Sequence, residues 1–279
     1  MFDASAVLKE SGSKDDPDIN LLHVALAFAA DDHRGISMDK YFNHANKCAR
    51  DIGERYIQLL NAGADDDVRT RLAAIKHILC DREGYTGDTE TYDDLQNADL
   101  VRVIDRRKGL PISLAILFIY AGRSNGWDLD GLNFPGHFLC RIEYKGERLI
   151  FDPFTSCTVM EAPELRALLK KIRGEKAELN ADFYKPCTNR ETLIRLQNNI
   201  KLRLIEAEEY EHALNCVEKM RWMDPAEYRL LLDAGVLYAK TGRKPDAIVV
   251  LEKYIQVTPN PKDKRDAENI LRHIAETMD

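Results

Sequence analysis

The hydrophobic pattern of the chain is helical over most of its length. Apolar residues recur every three or four positions over residues 18–80, over residues 161–173 and through the last third, which predicts amphipathic helices in these regions. Pro111 opens the most apolar stretch, and proline suits the first turn of a helix because it fixes φ and has no N–H to leave unpaired. Residues 112–121 are apolar almost all round, so they predict a helix buried inside a domain.

After this helix the apolar period changes from helical to alternating. The change predicts two strands, 137–144 and 148–152, joined by a turn at 145–146. In the register that this turn imposes, His137 lies diagonally across from Asp152 on the same face of the hairpin. The pattern therefore predicts an imidazole and a carboxylate within side-chain reach, the arrangement in which a carboxylate orients a catalytic histidine.

The last third of the chain repeats itself at an offset of one tetratricopeptide period. Ala213 matches Ala247, and Pro225 matches Pro259. Small alanines allow the two helices of such a repeat to cross closely, and proline follows the second helix because it cannot continue it. The spacing predicts two repeats of paired helices followed by a closing helix.

Three segments resemble the motifs of one protein family: 106–114 (RRKGLPISL), 133–139 (NFPGHFL) and 150–154 (IFDPF). They are similar to the SirB-type, or UPF0162-like, bacterial proteins, which join a transglutaminase-like core to tetratricopeptide repeats. The resemblance implies an α+β, mostly helical fold, in which a papain-like or transglutaminase-like core with a small antiparallel sheet precedes the α-helical repeats.

The domain organisation follows from these patterns. Residues 1–17 are polar and rich in turn-forming residues, so we expect a flexible N-terminus there. Residues 18–185 are expected to form the transglutaminase-like domain with its N-terminal helices. Residues 186–279 are expected to form the tetratricopeptide-like repeats.

The resemblance also implies a modified active site. In the transglutaminase-like superfamily a cysteine opens the core helix, a histidine begins one strand and an aspartate ends the next. Here the cysteine position is occupied by Pro111, which can neither attack a substrate nor donate a proton. We therefore expect His137 and Asp152 to be a retained, vestigial pair in a non-catalytic protein that serves protein–protein interaction or regulation.

A hydrolase or acyltransferase that uses His137 and Asp152 with another nucleophile is the alternative. Ser113 lies in the first helical turn, but two residues correspond to a rotation of about 200° from the lost thiol. Cys157 follows the second strand closely enough for a loop to return it to the pair. Cys140 has the opposite strand parity from His137 and is expected to point away.

A basic cluster precedes the buried helix and has two interpretations. It consists of Arg102, Arg106, Arg107 and Lys108. These side chains could guide an anionic ligand to the helix N-terminus, or they could form ion pairs with nearby acidic residues in a solvated turn.

Composition narrows the classes of partner. The formal net charge of −7 argues against nucleic acid and anionic membranes, and no stretch is long and apolar enough to span a bilayer. The six cysteines occur singly, without metal-binding pairs, and the N-terminus has no apolar signal-peptide core. We therefore expect a cytoplasmic protein with reduced thiols and with neither cofactor nor metal. Its expected partner is a protein or peptide bound through the repeats.

Overall fold

In the computed structural model, which describes residues 2–276, helices predominate and two small sheets lie among them. The α-helices are α1 (Ala4–Gly12), α2 (Leu21–Ala30), α3 (Asp39–Asn61), α4 (Val68–Ile75), α5 (Leu100–Arg106), α6 (Pro111–Arg123), α7 (Ala162–Arg173), α8 (Asn189–Glu206), α9 (Tyr210–Met223), α10 (Arg229–Lys240), α11 (Lys244–Val257) and α12 (Pro261–Glu276). The strands are β1 (Thr86–Gly87), β2 (Lys108–Gly109), β3 (Asp128–Leu132), β4 (Leu139–Tyr144), β5 (Glu147–Asp152) and β6 (Thr158–Val159). A π-helical segment, Lys76–Arg82, continues directly from α4. The predicted mostly helical α+β class is confirmed.

The described chain divides into two units. The larger unit holds Phe2 and residues 16–196, and the smaller unit holds residues 3–15 and 197–276. The division between them falls inside α8, whereas the sequence pattern places the domain boundary before that helix, at residue 185. Met1 and residues 277–279, which belong to the predicted domains, lie outside the described residues.

Helix α6 is the buried centre of the larger unit. It begins at Pro111, as the apolar pattern predicts, and eleven of its residues are buried. The helix ends at Arg123, and Ser124 is its C-cap residue. A Cβ at Gly122 would lie 2.7 Å from Cδ1 of Leu129, so this glycine gives strand β3 space to pack closely against the helix.

The predicted hairpin forms the middle of a four-stranded antiparallel sheet with the order β3-β4-β5-β6. Tyr144 pairs with Glu147, which confirms the predicted register. The turn residues Lys145 and Gly146 have φ of 50° and 85°, the positive values that a tight two-residue hairpin turn requires. Strand β4 begins at Leu139, so His137 belongs to the loop before the strand and not to the strand itself.

The two faces of the sheet pack against different helices. On one face Phe151 lies against Phe118 of α6, with 6.4 Å between the ring centroids. On the other face Leu139 joins a cluster with Leu165 and Leu169 of α7. The sheet is therefore enclosed between helices, and the residues at its end are fixed from both sides.

Residues 4–12, which lie within the segment expected to be a flexible N-terminus, form helix α1. Asp3 caps α1 by accepting a hydrogen bond from the backbone N–H of Ala6. Leu8 is buried within the smaller unit. Gly12 approaches α9 so closely that a Cβ there would lie 2.3 Å from the carbonyl oxygen of Trp222. Helix α1 packs against α9, which is distant in sequence, so its formation depends on a contact that the local pattern does not show.

The smaller unit contains the predicted helical repeats. The matched residues Ala213 and Ala247 are both fully buried, as expected for residues at close helix crossings. Gly235 likewise allows α10 and α11 to pack closely, since a Cβ there would lie 2.5 Å from Cγ of Leu251. Helix α12 closes the array and buries Ile274 against α11.

Candidate functional site

His137 and Asp152 are in direct contact. The imidazole Nε2 lies 3.0 Å from Oδ2 of Asp152, and the two side chains are 13% and 5% exposed. An ionised carboxylate can only accept a hydrogen bond, so Nε2 carries the imidazole proton and Nδ1 is left as the basic nitrogen. This is the orientation that a general base requires, since Nδ1 can receive a proton while the carboxylate holds the ring.

Asp152 is held at the end of β5 by backbone hydrogen bonds. Its Oδ1 accepts from the backbone N–H of Phe154 at 2.9 Å, and its carbonyl oxygen accepts from the backbone N–H of Cys157 at 2.9 Å. Ser156 and Cys157 have φ of 53° and 62°, a left-handed conformation in which non-glycine residues are uncommon. The tight turn therefore fixes the carboxylate that faces His137.

Arg195 of α8 fixes the loop that carries His137. Its Nη2 donates to the carbonyl oxygens of Phe134 and His137, at 2.9 and 2.6 Å, and its guanidinium lies 5.2 Å from the ring centroid of Phe138. Burial lowers the pKa of Arg195 below the ordinary arginine value. The sequence pattern does not reveal this residue, because it is 58 positions from His137 and belongs to a different helix.

An aromatic side chain closes one side of the pair. The Phe154 ring meets the imidazole of His137 edge-on, with 6.1 Å between centroids. Gly87 makes room for that ring, since a Cβ there would lie 2.4 Å from the Phe154 side chain. Tyr92 also packs edge-on against Phe154, with 5.8 Å between the ring centroids. The segment that approaches the pair is thus the connection before α5. Residues 81–100 are polar and rich in turn-forming residues, a pattern that by itself predicts a surface loop.

The hydroxyl of Ser113 donates a hydrogen bond to the backbone. Its hydroxyl is fully buried and lies 2.7 Å from the carbonyl oxygen of Asn97 and 3.0 Å from that of Leu110. A serine hydroxyl has one proton, and here that proton is directed to backbone carbonyls. Among residues 2–276 no hydrogen bond joins Ser113 to His137, so the structure does not bring this candidate nucleophile to the base.

Cys157 faces another thiol. Its Sγ lies 3.7 Å from Sγ of Cys80, and burial raises the pKa of Cys157 well above the ordinary thiol value. Cys140 pairs with Phe151 on the opposite face of the sheet from Asp152, and burial raises the pKa of Cys140 as well. A protonated, buried thiol is a poor nucleophile, so neither cysteine has the properties of an activated one.

The basic cluster before α6 is engaged in ion pairs. Arg106 pairs with the buried Asp88, and Lys108 pairs with Glu90. Hydrogen bonds from the backbone of Thr91 and from Arg106 lower the pKa of Asp88 well below the ordinary carboxyl range. These contacts confirm the ion-pair interpretation for Arg106 and Lys108. They attach Asp88 and Glu90 to the end of α5 and to the residues that lead into α6.

Comparison with known proteins places this site in a family. The family model of the transglutaminase-like superfamily matches residues 39–198, more than half of the chain. The chain belongs to the transglutaminase-like superfamily. A tetratricopeptide-repeat model matches residues 200–275, which confirms the repeats. No solved structure matches the chain.

The relatives confirm the SirB-type resemblance. A UPF0162 protein of Xylella fastidiosa is 28% identical over 251 residues, which cover 88% of this chain and 86% of the relative. A UPF0162 protein of Vibrio cholerae is 30% identical over 195 residues, 70% of this chain and 72% of the relative. Protein SirB1 of Salmonella typhimurium is 25% identical over 177 residues, 63% of this chain and 65% of the relative.

Two further features bear on possible ligands. Among residues 2–276, no helix combines the length and the apolar character needed to cross a membrane. In the same residues, His44, Cys48 and Glu83 bring a nitrogen, a sulfur and an oxygen ligand together. The sequence pattern misses this cluster, because Glu83 is distant from the other two residues along the chain.

Proposed function

We propose that this transglutaminase-like protein is non-catalytic and binds a protein or peptide partner through its repeat region, in an interaction or regulatory role in the cytoplasm. The observation that carries the proposal is the combination of Pro111 at the start of α6 with an intact pair of His137 and Asp152. The base and its orienting carboxylate are present, and the residue at the family's nucleophile position has no sulfur. Neither Ser113 nor Cys157 takes its place.

The retained pair has a structural purpose in this proposal. Asp152 joins three elements: it accepts from the imidazole of His137, it accepts from the N–H of Phe154, and its carbonyl holds the turn at Cys157. Removing one partner of a buried hydrogen-bonded pair costs roughly 1–3 kcal/mol, since the other is left unsatisfied. Stability alone is therefore a sufficient reason for both residues to be present.

The non-catalytic part of the proposal predicts that reactive probes will not detect an activated nucleophile. We expect activated-ester and electrophilic thiol probes to label the wild type and His137→Ala at the same low rate, measured by intact-mass spectrometry. His77→Ala is the matched control, because His77 is an exposed histidine of the same unit. Labelling of the wild type that falls in His137→Ala but not in His77→Ala would support the alternative hydrolase or acyltransferase.

The interaction part predicts that partner contacts concentrate on the repeats. Leu202 of α8 and Val249 of α11 are apolar side chains of the smaller unit that are 54% and 66% exposed. We expect a photo-crosslinking amino acid at either position of the full chain to give a discrete protein adduct in cells. The same group at Ile57, an apolar residue of the larger unit that is 53% exposed, should give none. Adducts only at Ile57, or at none of these positions, would contradict the assignment.

A further inference from the structure

A cluster of potential metal ligands lies in the larger unit, outside the His137 site. His44 and Cys48 are one helical turn apart on α3, so their side chains project from the same face of the helix. Glu83 follows the π-helical segment and reaches the same point. The imidazole nitrogen, the thiol sulfur and a carboxylate oxygen of these residues all lie within 4.8 Å of one another.

The surroundings of Cys48 are apolar. Cys48 is 2% exposed, and the walls beside it include Leu79 and Leu117. A cavity of about 10 Å³ adjoins His44 and Cys48. A space of this size holds a single water-sized particle, and two of the three side chains of ligand type, His44 and Cys48, line it.

The spacing suits tetrahedral coordination by a thiolate and an imidazole. Sγ of Cys48 lies 3.5 Å from Nε2 of His44. Ligand bonds of roughly 2.3 Å to sulfur and 2.0 Å to nitrogen, at a tetrahedral angle, separate the two ligand atoms by about 3.5 Å. Little movement of α3 is therefore required for both atoms to bind one ion.

We propose that His44, Cys48 and Glu83 form a binding site for a divalent metal ion of the zinc class. The soft thiolate and the imidazole select zinc over magnesium or calcium, which prefer oxygen ligands. The thiolate and the carboxylate together neutralise the charge of the ion. Three protein ligands leave a fourth position for water, the pattern of an open zinc site.

Binding at this site exchanges specific bonds. The S–H bond of Cys48 breaks, a sulfur–metal bond forms, and the proton passes to solvent, because a cysteine binds a metal ion as the thiolate. The Nε2 lone pair of His44 now contacts the hydroxyl of Tyr85 at 2.9 Å, and that contact gives way to the metal. No change of oxidation state is involved.

Two arginines form ion pairs with the carboxylate of Glu83. Arg82 Nη2 lies 3.2 Å from Oε1 of Glu83, and Arg107 Nη2 lies 3.7 Å from Oε2. A carboxylate can bind a metal through one oxygen while the other accepts from an arginine, and such outer contacts fix the orientation of the ligand. The arginines also balance the carboxylate charge when no metal is bound.

Cobalt substitution tests the proposal on the full-length, metal-stripped and reduced protein. We expect one equivalent of Co²⁺ to give a sulfur-to-cobalt charge-transfer band and the intense visible bands of tetrahedral cobalt, and Zn²⁺ to displace it. The charge-transfer band should be absent in Cys48→Ser. It should remain in Cys187→Ser, which removes another buried thiol of the same unit whose pKa burial raises to about 11.

The remaining ligands are tested by affinity, with folding verified by circular dichroism. His44→Gln and Glu83→Gln should each bind Co²⁺ about tenfold or more weakly than the wild type, the least effect expected for removal of a direct ligand. Zn²⁺ should raise the melting temperature of the wild type and not that of Cys48→Ser. A wild type without the charge-transfer band, a Cys48→Ser protein that keeps it, or unchanged affinity in Glu83→Gln would overturn the three-ligand assignment.

Discussion

Replacing Phe151 with alanine is expected to lower the free energy of unfolding of the larger unit by about 3–5 kcal/mol. Phe151 is fully buried on β5, beside Asp152, and its ring packs against Phe118 of α6. Truncation would remove a large apolar group and leave a cavity between the sheet and the buried helix. Since this contact joins β5, the strand that carries Asp152, to α6, the loss should weaken the whole unit and not one strand alone.

Urea denaturation followed by tryptophan fluorescence measures this loss. The two tryptophans belong to different units, Trp127 to the larger and Trp222 to the smaller, so a Trp222→Phe background reports on the larger unit. Ile57→Ala is the matched control, because that side chain is 53% exposed and its truncation should change the free energy by less than about 0.5 kcal/mol. Equal losses in the two variants would contradict the central position of the sheet–helix contact.

Replacing Arg195 with alanine is expected to lower the free energy of unfolding by about 2–3 kcal/mol, typical of hydrogen bonds made by a charged donor. The change leaves the carbonyl oxygens of Phe134 and His137 without their guanidinium donor and removes the contact with the Phe138 ring. Lysine should recover only part of this loss, since its ammonium lacks the planar fork that reaches two carbonyls. Arg195 is a positioning residue, because it acts on the loop and not on a ligand.

The imidazole resonances of His137 in NMR spectra separate positioning from general stability. In Arg195→Ala the loop should lose its fixed position, so the resonances should broaden or shift although the protein remains folded. Arg166→Ala, at an exposed arginine of α7, is the matched control and should leave them unchanged. Unperturbed His137 resonances in folded Arg195→Ala would show that the loop does not depend on this residue.

The contact between His137 and Asp152 could be predicted from the sequence, because it depends on residues that are close together along the chain. Strand parity and a two-residue turn fix the register of a hairpin, and register fixes which side chains share a face. The same reasoning placed Cys140 on the opposite face. It did not place Arg195, Gly87 or Phe154 around the pair, since these contacts depend on how separate elements pack, which hydrophobic periodicity does not encode.

Ser113 shows where local rules gave only part of the answer. Helix geometry turned its side chain away from the position of the lost thiol, but the partner of its hydroxyl, the carbonyl of Asn97, belongs to a segment that the pattern predicts as a solvated loop. That segment is polar, and yet Asp88 and Asn97 are buried in it. Their burial follows from Arg106, which hydrogen-bonds to both and satisfies them away from water.

The residue pattern alone specifies the buried helix after Pro111, the hairpin register and the period of the repeats, because each depends on residues close together along the chain. Three other features depend on tertiary packing: the contact of helix α1 with α9, the anchoring of the His137 loop and the meeting of His44, Cys48 and Glu83. Each of these depends on contacts between residues far apart in sequence. Such contacts form only when the apolar faces of separate elements pack together, and the pattern of a single element does not specify its partner.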